Sequence, residues 1–378
     1  MSDMELMKAP FPYFGGKSGA ADAVWSALGD VKNYVEPFFG SGAVLLARPH
    51  EPTVETVNDA DGLLVNMWRA LRAAPDEVAA HADWPVNEAD LFARHAWLVE
   101  RREPMTERLM ADPDWYDAKA AGWWVWGACC WIGGGWCAGT GGWVVEDGVP
   151  VRKVGQGVSR KIPHLSSYGR GVHKPSVSRR IPHLANDGQG VHKPSVSRQI
   201  PHLANDGKGV HLPNGARSST TLTEWFAALA ARLRNVRVCC GDWSRVVSKS
   251  ATYGHIQCFN GGTCGVFLDP PYGDTRKAVY AVDSTTVLDD VRAWCSANDE
   301  RPNLRIVLAG FEGEHDALEQ RGWRVVEWYR KGFLSGGYGN VGGADNSQMH
   351  RDRLWLSPAC LAPDPAPPPP QRGLPGIE

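Results

Sequence analysis

Four consecutive residues, Asp269-Pro270-Pro271-Tyr272, combine the chemistry most worth explaining in this chain. They follow Val266-Phe267-Leu268, an apolar run that predicts a buried strand. Ligands of open parallel sheets bind beyond the carboxyl ends of the strands, which is where Asp269 would stand. Its carboxylate accepts hydrogen bonds, and the Pro270 carbonyl is a second acceptor on a rigid backbone with no N–H of its own. Two fixed acceptors match an amino group with two hydrogens to donate. Tyr272 adds a flat face for a planar ring. The predicted guest is an exocyclic amine on an aromatic base, its nitrogen lone pair freed for attack. The alternative is a Pro-rich turn whose Asp caps a neighbouring N–H.

A second group of residues surrounds a glycine turn, Glu36-Pro37-Phe38-Phe39-Gly40-Ser41-Gly42. Gly40 and Gly42 permit a tight turn and close backbone approach, although the third glycine of a dinucleotide fingerprint is missing. Glu36 is placed to accept a ligand amine or to bond the turn's own amides. Asp59 follows the next predicted strand, where an acid either bonds ribose hydroxyls or caps the helix that begins nearby.

These residues need a scaffold, and the chain describes one. Segments 33–47 and 53–72 each read as strand, turn and helix. Later come apolar strands at 266–268, 304–311 and 322–329, with a helical pattern over 284–298 between the first two. Strands alternating with helices predict an α/β fold with a parallel sheet covered on both faces. A hydrophobic content of 43% with 22% charged residues suits a core-forming globular protein. No apolar run reaches the roughly 20 residues that a membrane helix requires, and "MSDMELMKAP" shows no secretory pattern. Nine cysteines without a CxxC pair give neither a zinc ribbon nor a disulfide framework, so reduced thiols and a cytoplasmic location are expected.

The middle of the chain differs from its flanks. Residues 151–217 hold twelve Lys or Arg and two acids, a local net of +10 in a chain of net −2, so the remainder carries −12. An acidic body with a basic insert predicts a polyanionic partner. Three copies of a nineteen-residue repeat fill this region, marked by SRKIPHL from Ser159, SRRIPHL from Ser178 and SRQIPHL from Ser197. Each runs on to a Gly-x-Gly-Val-His element, ending at His173, His192 and His211. Regular histidines follow from duplication itself, so no metal site is assigned. Contacts to phosphates and base edges are expected from Arg160, Lys161, Lys174, Arg179, Arg180, Lys193, Arg198 and Lys208. Just upstream, seven of the seventeen tryptophans lie between Trp115 and Trp143. Trp123, Trp124, Trp126 and Trp131 are read as packing residues, with base stacking as the alternative.

The segments PFPYFGGKS (10–18), YVEPFFGSGAV (34–44), VNDADGLLVNMWRAL (57–71) and LDPPYGD (268–274), in this order, resemble the Dam-like family of DNA adenine N6-methyltransferases. The resemblance covers about residues 9–71 and 237–356. It implies a doubly wound, Rossmann-like methyltransferase sheet with an inserted basic target-recognition domain, S-adenosyl-L-methionine as cofactor, and a flipped adenine in double-stranded DNA as acceptor. Matched by position, Asp269, Pro270, Pro271 and Tyr272 form the catalytic motif. Tyr13, Gly15, Gly16, Lys17, Glu36, Phe39, Gly40, Gly42, Asp59, Asp242 and Asp269 form the cofactor site. Where relatives often carry a polar segment, this chain has WWVWGACCWIGGGW, and the repeats have no counterpart, so target sequence does not transfer.

The expected division is catalytic segment 1–80, recognition insert 81–217 with its repeats at 159–213, catalytic segment 218–358 and a Pro-rich disordered tail at 359–378. Carbon-5 cytosine methylation would want a nucleophilic Cys after Pro, and no Pro-Cys dipeptide occurs. Cytosine-N4 methylation uses the same amine chemistry and stays open. So do a non-catalytic DNA-binding module on the same fold and an RNA or small-molecule methyltransferase. No nuclease signature is visible, and a restriction nuclease partner is left unassigned.

Overall fold

The structure is a computed structural model that describes residues 7–13, 16–131, 136–137, 143–146, 149–152, 221–252, 262–271, 286–328 and 352–362. Its centre is a seven-stranded sheet in the order β5-β2-β1-β6-β7-β9-β8. The strands are β1 (Asn33–Glu36), β2 (Val54–Asp59), β5 (Val236–Cys240), β6 (Cys264–Leu268), β7 (Leu304–Phe311), β8 (Arg324–Glu327) and β9 (Asp352–Leu356). A separate hairpin pairs β3 (Trp143–Glu146) with β4 (Val149–Arg152). From β5 to β7 every pairing is parallel, and β9 runs antiparallel between β7 and β8.

The chain moves outward from β1 through β2 to β5, then returns to lay β6 on the other side of β1. That reversal, between β1 and β6, is where an open α/β sheet leaves a crevice at its carboxyl edge. The alternating strand–helix pattern is borne out as a mixed α/β fold.

Side chains alternate between two cores along the central strands. Tyr34, Phe267, Val307 and Ala309 join one apolar cluster, whereas Val35, Val266, Leu268, Ile306 and Leu308 join the other. This period of two, with both faces buried, is why β6 and β7 read as continuous apolar runs. The first face is covered by α1 (Ala21–Leu28), α3 (Gly62–Ala73), α4 (Pro75–Ala82), α5 (Glu88–Ala111), α6 (Ala118–Cys130) and α7 (Leu222–Leu233). The helix α8 (Val287–Asn298) packs in the second cluster through Val291 and Cys295. Two single-turn helices, α2 (Ala43–Leu46) and α9 (Asp316–Glu319), accompany them.

Local chemistry sets the helix starts. Asp61 accepts from Leu63 N–H to open α3, Asn87 from Asp90 N–H to open α5, and Asp117 from Ala120 N–H to open α6. Thr221 and Glu224 form a reciprocal capping box at α7. The tryptophans of α6 are packing residues, as read from their spacing. Trp124 and Trp126 are buried, and the Trp126 indole N–H donates to the Trp84 carbonyl at 2.9 Å. Trp131 is buried against the His95 ring, and Trp123 lies beneath the Lys119 ammonium. Two strands, β5 and β9, have little sequence signal: VRVCC and DRLWL are only five residues long and mix charges with their apolar residues. All of β9 is nonetheless buried, because β7 and β8 cover both its edges.

Candidate functional site

A cleft of about 360 Å³ opens at the carboxyl ends of β1, β2, β5 and β6. Each strand delivers an acid to it: Glu36 from β1, Asp59 from β2, Asp242 just after β5 and Asp269 just after β6. These were four separate expectations from sequence, 233 positions apart at the extremes, and parallel pairing brings them to one rim.

The floor is the Gly40 turn. Gly40 and Gly42 both have positive φ, 49° and 66°. A Cβ on Gly40 would meet the Tyr13 ring at 2.8 Å, so Tyr13 packs where only glycine leaves room. The turn is further held by Trp68, whose indole N–H donates to the Gly40 carbonyl at 3.0 Å, and by Phe39, buried against Trp68.

Asp59 fixes this turn from beneath. It accepts from Gly40 N–H and from Asp61 N–H, both at 3.0 Å. Burial nonetheless raises its pKa to about 6, with those two amides pulling the other way. The helix-cap alternative for Asp59 falls instead to Asp61, which caps α3. Glu36 is 2% exposed and accepts from the Tyr34 hydroxyl at 2.8 Å. Desolvation pushes its pKa well above the carboxylate range, and the negative charges of Asp269 and Glu55 add to that push.

Asp269 makes an ion pair with Lys17, Nζ to Oδ1 at 2.7 Å, and Lys17 itself is 4% exposed. The sequence places these residues 252 positions apart, yet both line the cleft. Pro270 is buried behind Asp269 and Pro271 lines the cleft. Asp242 stands exposed at the rim, accepting from Ser244 N–H at 2.9 Å and so opening the short 3-10 turn Trp243–Val246.

Several lining residues were not anticipated. Asn58 donates both amide hydrogens, to the Pro37 carbonyl at 3.1 Å and the Gly241 carbonyl at 2.9 Å, tying the ends of β1 and β5 to β2. Its Oδ1 is buried without a hydrogen-bond partner. Phe38 stacks on Trp243, ring centroids 5.9 Å apart, giving the cleft an aromatic wall. The sequence signal for Trp243 was its place directly after Asp242; nothing distinguished Asn58 from an ordinary strand-end polar residue. Gly15, Tyr272 and all eight basic residues assigned to DNA (Arg160, Lys161, Lys174, Arg179, Arg180, Lys193, Arg198, Lys208) lie outside the described residues, as do the repeats and the tail from 363.

The set suits a ligand that is part cation and part flat ring. Buried carboxylates with few counter-ions favour a positively charged guest, and the Phe38–Trp243 wall favours a planar one. The volume lies within the range of small-molecule and cofactor sites.

Residues 13–107, from Tyr13 through most of α5, match the family model described as D12 class N6 adenine-specific DNA methyltransferase. No curated protein matches the chain. The family match bears out the resemblance carried by the sequence motifs. It identifies an enzyme that methylates adenine in DNA, and it does not favour the cytosine-N4 alternative.

Proposed function

We propose that this adenine-specific DNA methyltransferase binds S-adenosyl-L-methionine in the cleft at the ends of β1, β2, β5 and β6 and presents it to a flipped adenine held by Asp269, Pro270, Pro271 and Tyr272. The observation that carries this reading is the convergence of Glu36, Asp59, Asp242 and Asp269 on one cleft. Methyltransferases of this family generally use that cofactor, which supplies an electrophilic methyl group when bound. Glu36 is assigned to its amino group, Asp59 with the Gly40 turn to its ribose side, and Asp242 to its adenine. Tyr13, Gly15, Gly16, Lys17, Phe39 and Gly42 shape the same site.

The protein's own part in the reaction is alignment and charge stabilisation. Lys17 engages Asp269 Oδ1, and the other carboxylate oxygen, Oδ2, takes one hydrogen of the adenine amine. The Pro270 carbonyl takes the second. With both hydrogens held, the N6 lone pair is left free for the electrophilic methyl group that the cofactor would supply. Asp269 would stabilise the positive charge developing on N6, and the surplus N6 proton would leave to solvent. Tyr272 stacks on the extruded base, whose removal from a duplex costs a few kcal/mol.

DNA is the substrate class, and a duplex is proposed because the basic repeats suit a long polyanion. Arg160, Lys161, Lys174, Arg179, Arg180, Lys193, Arg198 and Lys208 are the proposed contacts. The proposed division remains 1–80 and 218–358 for catalysis and 81–217 for recognition, with 359–378 as a tail. Helices α4 to α6 share a core with α3, so this division rests on charge and the repeats rather than on a gap in packing. No helix among the described residues is long and apolar enough to cross a membrane. The eight cysteines among the described residues are free thiols, in keeping with the proposed reducing, cytoplasmic setting.

The test is incubation with unmethylated DNA and S-adenosylmethionine, then digestion and nucleoside mass spectrometry, with Asp269→Ala as control. N6-methyladenine is expected with wild type only, while D269A keeps cofactor affinity within about an order of magnitude. Activity retained in D269A, or DNA binding without a methylated base, would overturn the reading.

A further inference from the structure

Glu36 is a buried acid of the cleft that no ion pair reaches among the described residues. On its own strand, Tyr34 lies two residues earlier and so on the same face of the sheet. Tyr34 is fully buried, and its hydroxyl donates to Glu36 Oε2 at 2.8 Å. The phenol cannot swing away, because its ring packs on Trp25 with centroids 4.7 Å apart. Trp25 is in turn anchored through its indole N–H to the Val44 carbonyl of α2 at 2.7 Å.

The other charged groups around Glu36 are already matched. On β2, Glu55 is bridged by Arg48 and Arg232. After β6, Asp269 is paired with Lys17. The amide of Leu45 in α2 also faces Glu36. The groups aimed at Glu36, the Tyr34 hydroxyl and the Leu45 amide, are both neutral.

Resting on the reading of the cleft as a cofactor site, we propose that Tyr34 is a positioning residue for Glu36. Its phenol holds the Glu36 carboxylate for the cationic amino group of S-adenosylmethionine, and cofactor binding is thereby coupled to release of a proton from Glu36 to solvent. An O–H donor bonds a carboxylate more strongly than a carboxylic acid, so Tyr34 favours the ionised form against the burial that opposes it. The arriving ammonium completes the neutralisation that the protein withholds. A purely structural tyrosine would fill the same volume without touching that equilibrium.

The experiment is calorimetric titration of the full chain with S-adenosylmethionine from pH 6 to 9, in buffers of different ionisation enthalpy, for wild type, Tyr34→Phe, Glu36→Gln and the double variant. Wild type is expected to release a proton on binding, and Glu36→Gln to release none. Tyr34→Phe is expected to bind roughly tenfold to a hundredfold more weakly at neutral pH, the usual weight of a hydrogen bond to a charged group. The pH at which affinity is half lost should rise by about one unit, as a tenfold change in the ionisation constant requires. In the Glu36→Gln background, Tyr34→Phe should add nothing.

A wild-type pH profile in Tyr34→Phe, or an equal loss in both backgrounds, would overturn the positioning role. Failure of wild type to bind S-adenosylmethionine at all would instead overturn the cofactor reading, and the coupling with it. Should Tyr34→Phe not fold, 3-fluorotyrosine at position 34 keeps the ring and strengthens the donor. It should move the profile to lower pH, and a stationary profile would equally refute the proposal.

Discussion

Two buried glutamates on adjacent strands meet opposite fates. Glu55, on β2, is 3% exposed and enclosed by cations. Arg48 reaches Oε1 at 3.1 Å, while Arg232 reaches Oε2 at 2.6 Å and Oε1 at 2.9 Å. Glu36, on β1, is 2% exposed and receives a phenol. Both pay the desolvation that burial exacts from a carboxylate, but in one case the fold supplies the counter-charge and in the other it does not. Glu55 binds β2 to α7 and the end of α2 and does not line the cleft. Glu36 lines the cleft. A fully compensated buried acid is structural cement, whereas an under-compensated one facing a cavity marks where an incoming cation is expected.

The comparison breaks first at its structural end. Arg48→Ala should cost about 3–5 kcal/mol in urea denaturation, because it strips a buried carboxylate of one partner. Cofactor affinity of the folded fraction should stay within about threefold. A loss below about 1 kcal/mol would mean that Glu55 does not need its cations.

The same logic extends to a buried base. His315 is fully buried, edge-on to the Trp355 ring, and burial lowers its pKa to about 4, with Arg292 adding to the effect. The unfolded chain takes up that proton near pH 6.5, so the stability involved is complete above this value and is lost as pH falls toward 4. Between pH 7 and 4.5 this residue should account for about 2–3 kcal/mol of acid destabilisation. His315→Gln should flatten that limb, and an unchanged slope would show that the imidazole stays neutral for another reason.

Glu36→Gln sharpens the contrast directly. Thermal stability should hold within about 0.5 kcal/mol, since the amide oxygen still accepts from Tyr34, while cofactor binding should weaken by at least about 1.4 kcal/mol, or tenfold. Equal losses in stability for Glu36→Gln and Arg48→Ala would erase the distinction between the two sites. The smallest effect is expected at Asp59. Asp59→Asn leaves one of the Gly40 and Asp61 amides without an acceptor, a loss of about 1 kcal/mol visible in chemical denaturation. It also removes the group that titrates near pH 6.

Much of the site was legible because its chemistry is local. The strand ending on Asp269, the Gly40 turn and the acids at 36, 59 and 242 stand in short segments whose residue types declare a turn or a strand end. The helical tryptophans were legible as packing for the same reason, through spacing along one helix. Other features carried no such mark. Asn58 acts by spanning from β2 to β1 and β5, and an Asn at a strand end reads alike whether or not it does so. Neither β9 nor α5 announces itself, since a charged strand is buried only once neighbours lie on both edges.

The sequence by itself determined the strand–helix alternation, the Asp-Pro-Pro-Tyr and glycine-turn motifs and the segregation of a basic stretch from an otherwise acidic chain. These depend on side-chain type, periodicity and charge, which are properties of nearby residues. Only the tertiary structure decided that Lys17 pairs with Asp269, that the Tyr34 hydroxyl donates to Glu36, and that Glu55 rather than Glu36 receives the arginines. Pairings of that kind depend on which strands lie side by side, and parallel strands become neighbours only through long crossovers that no local pattern encodes.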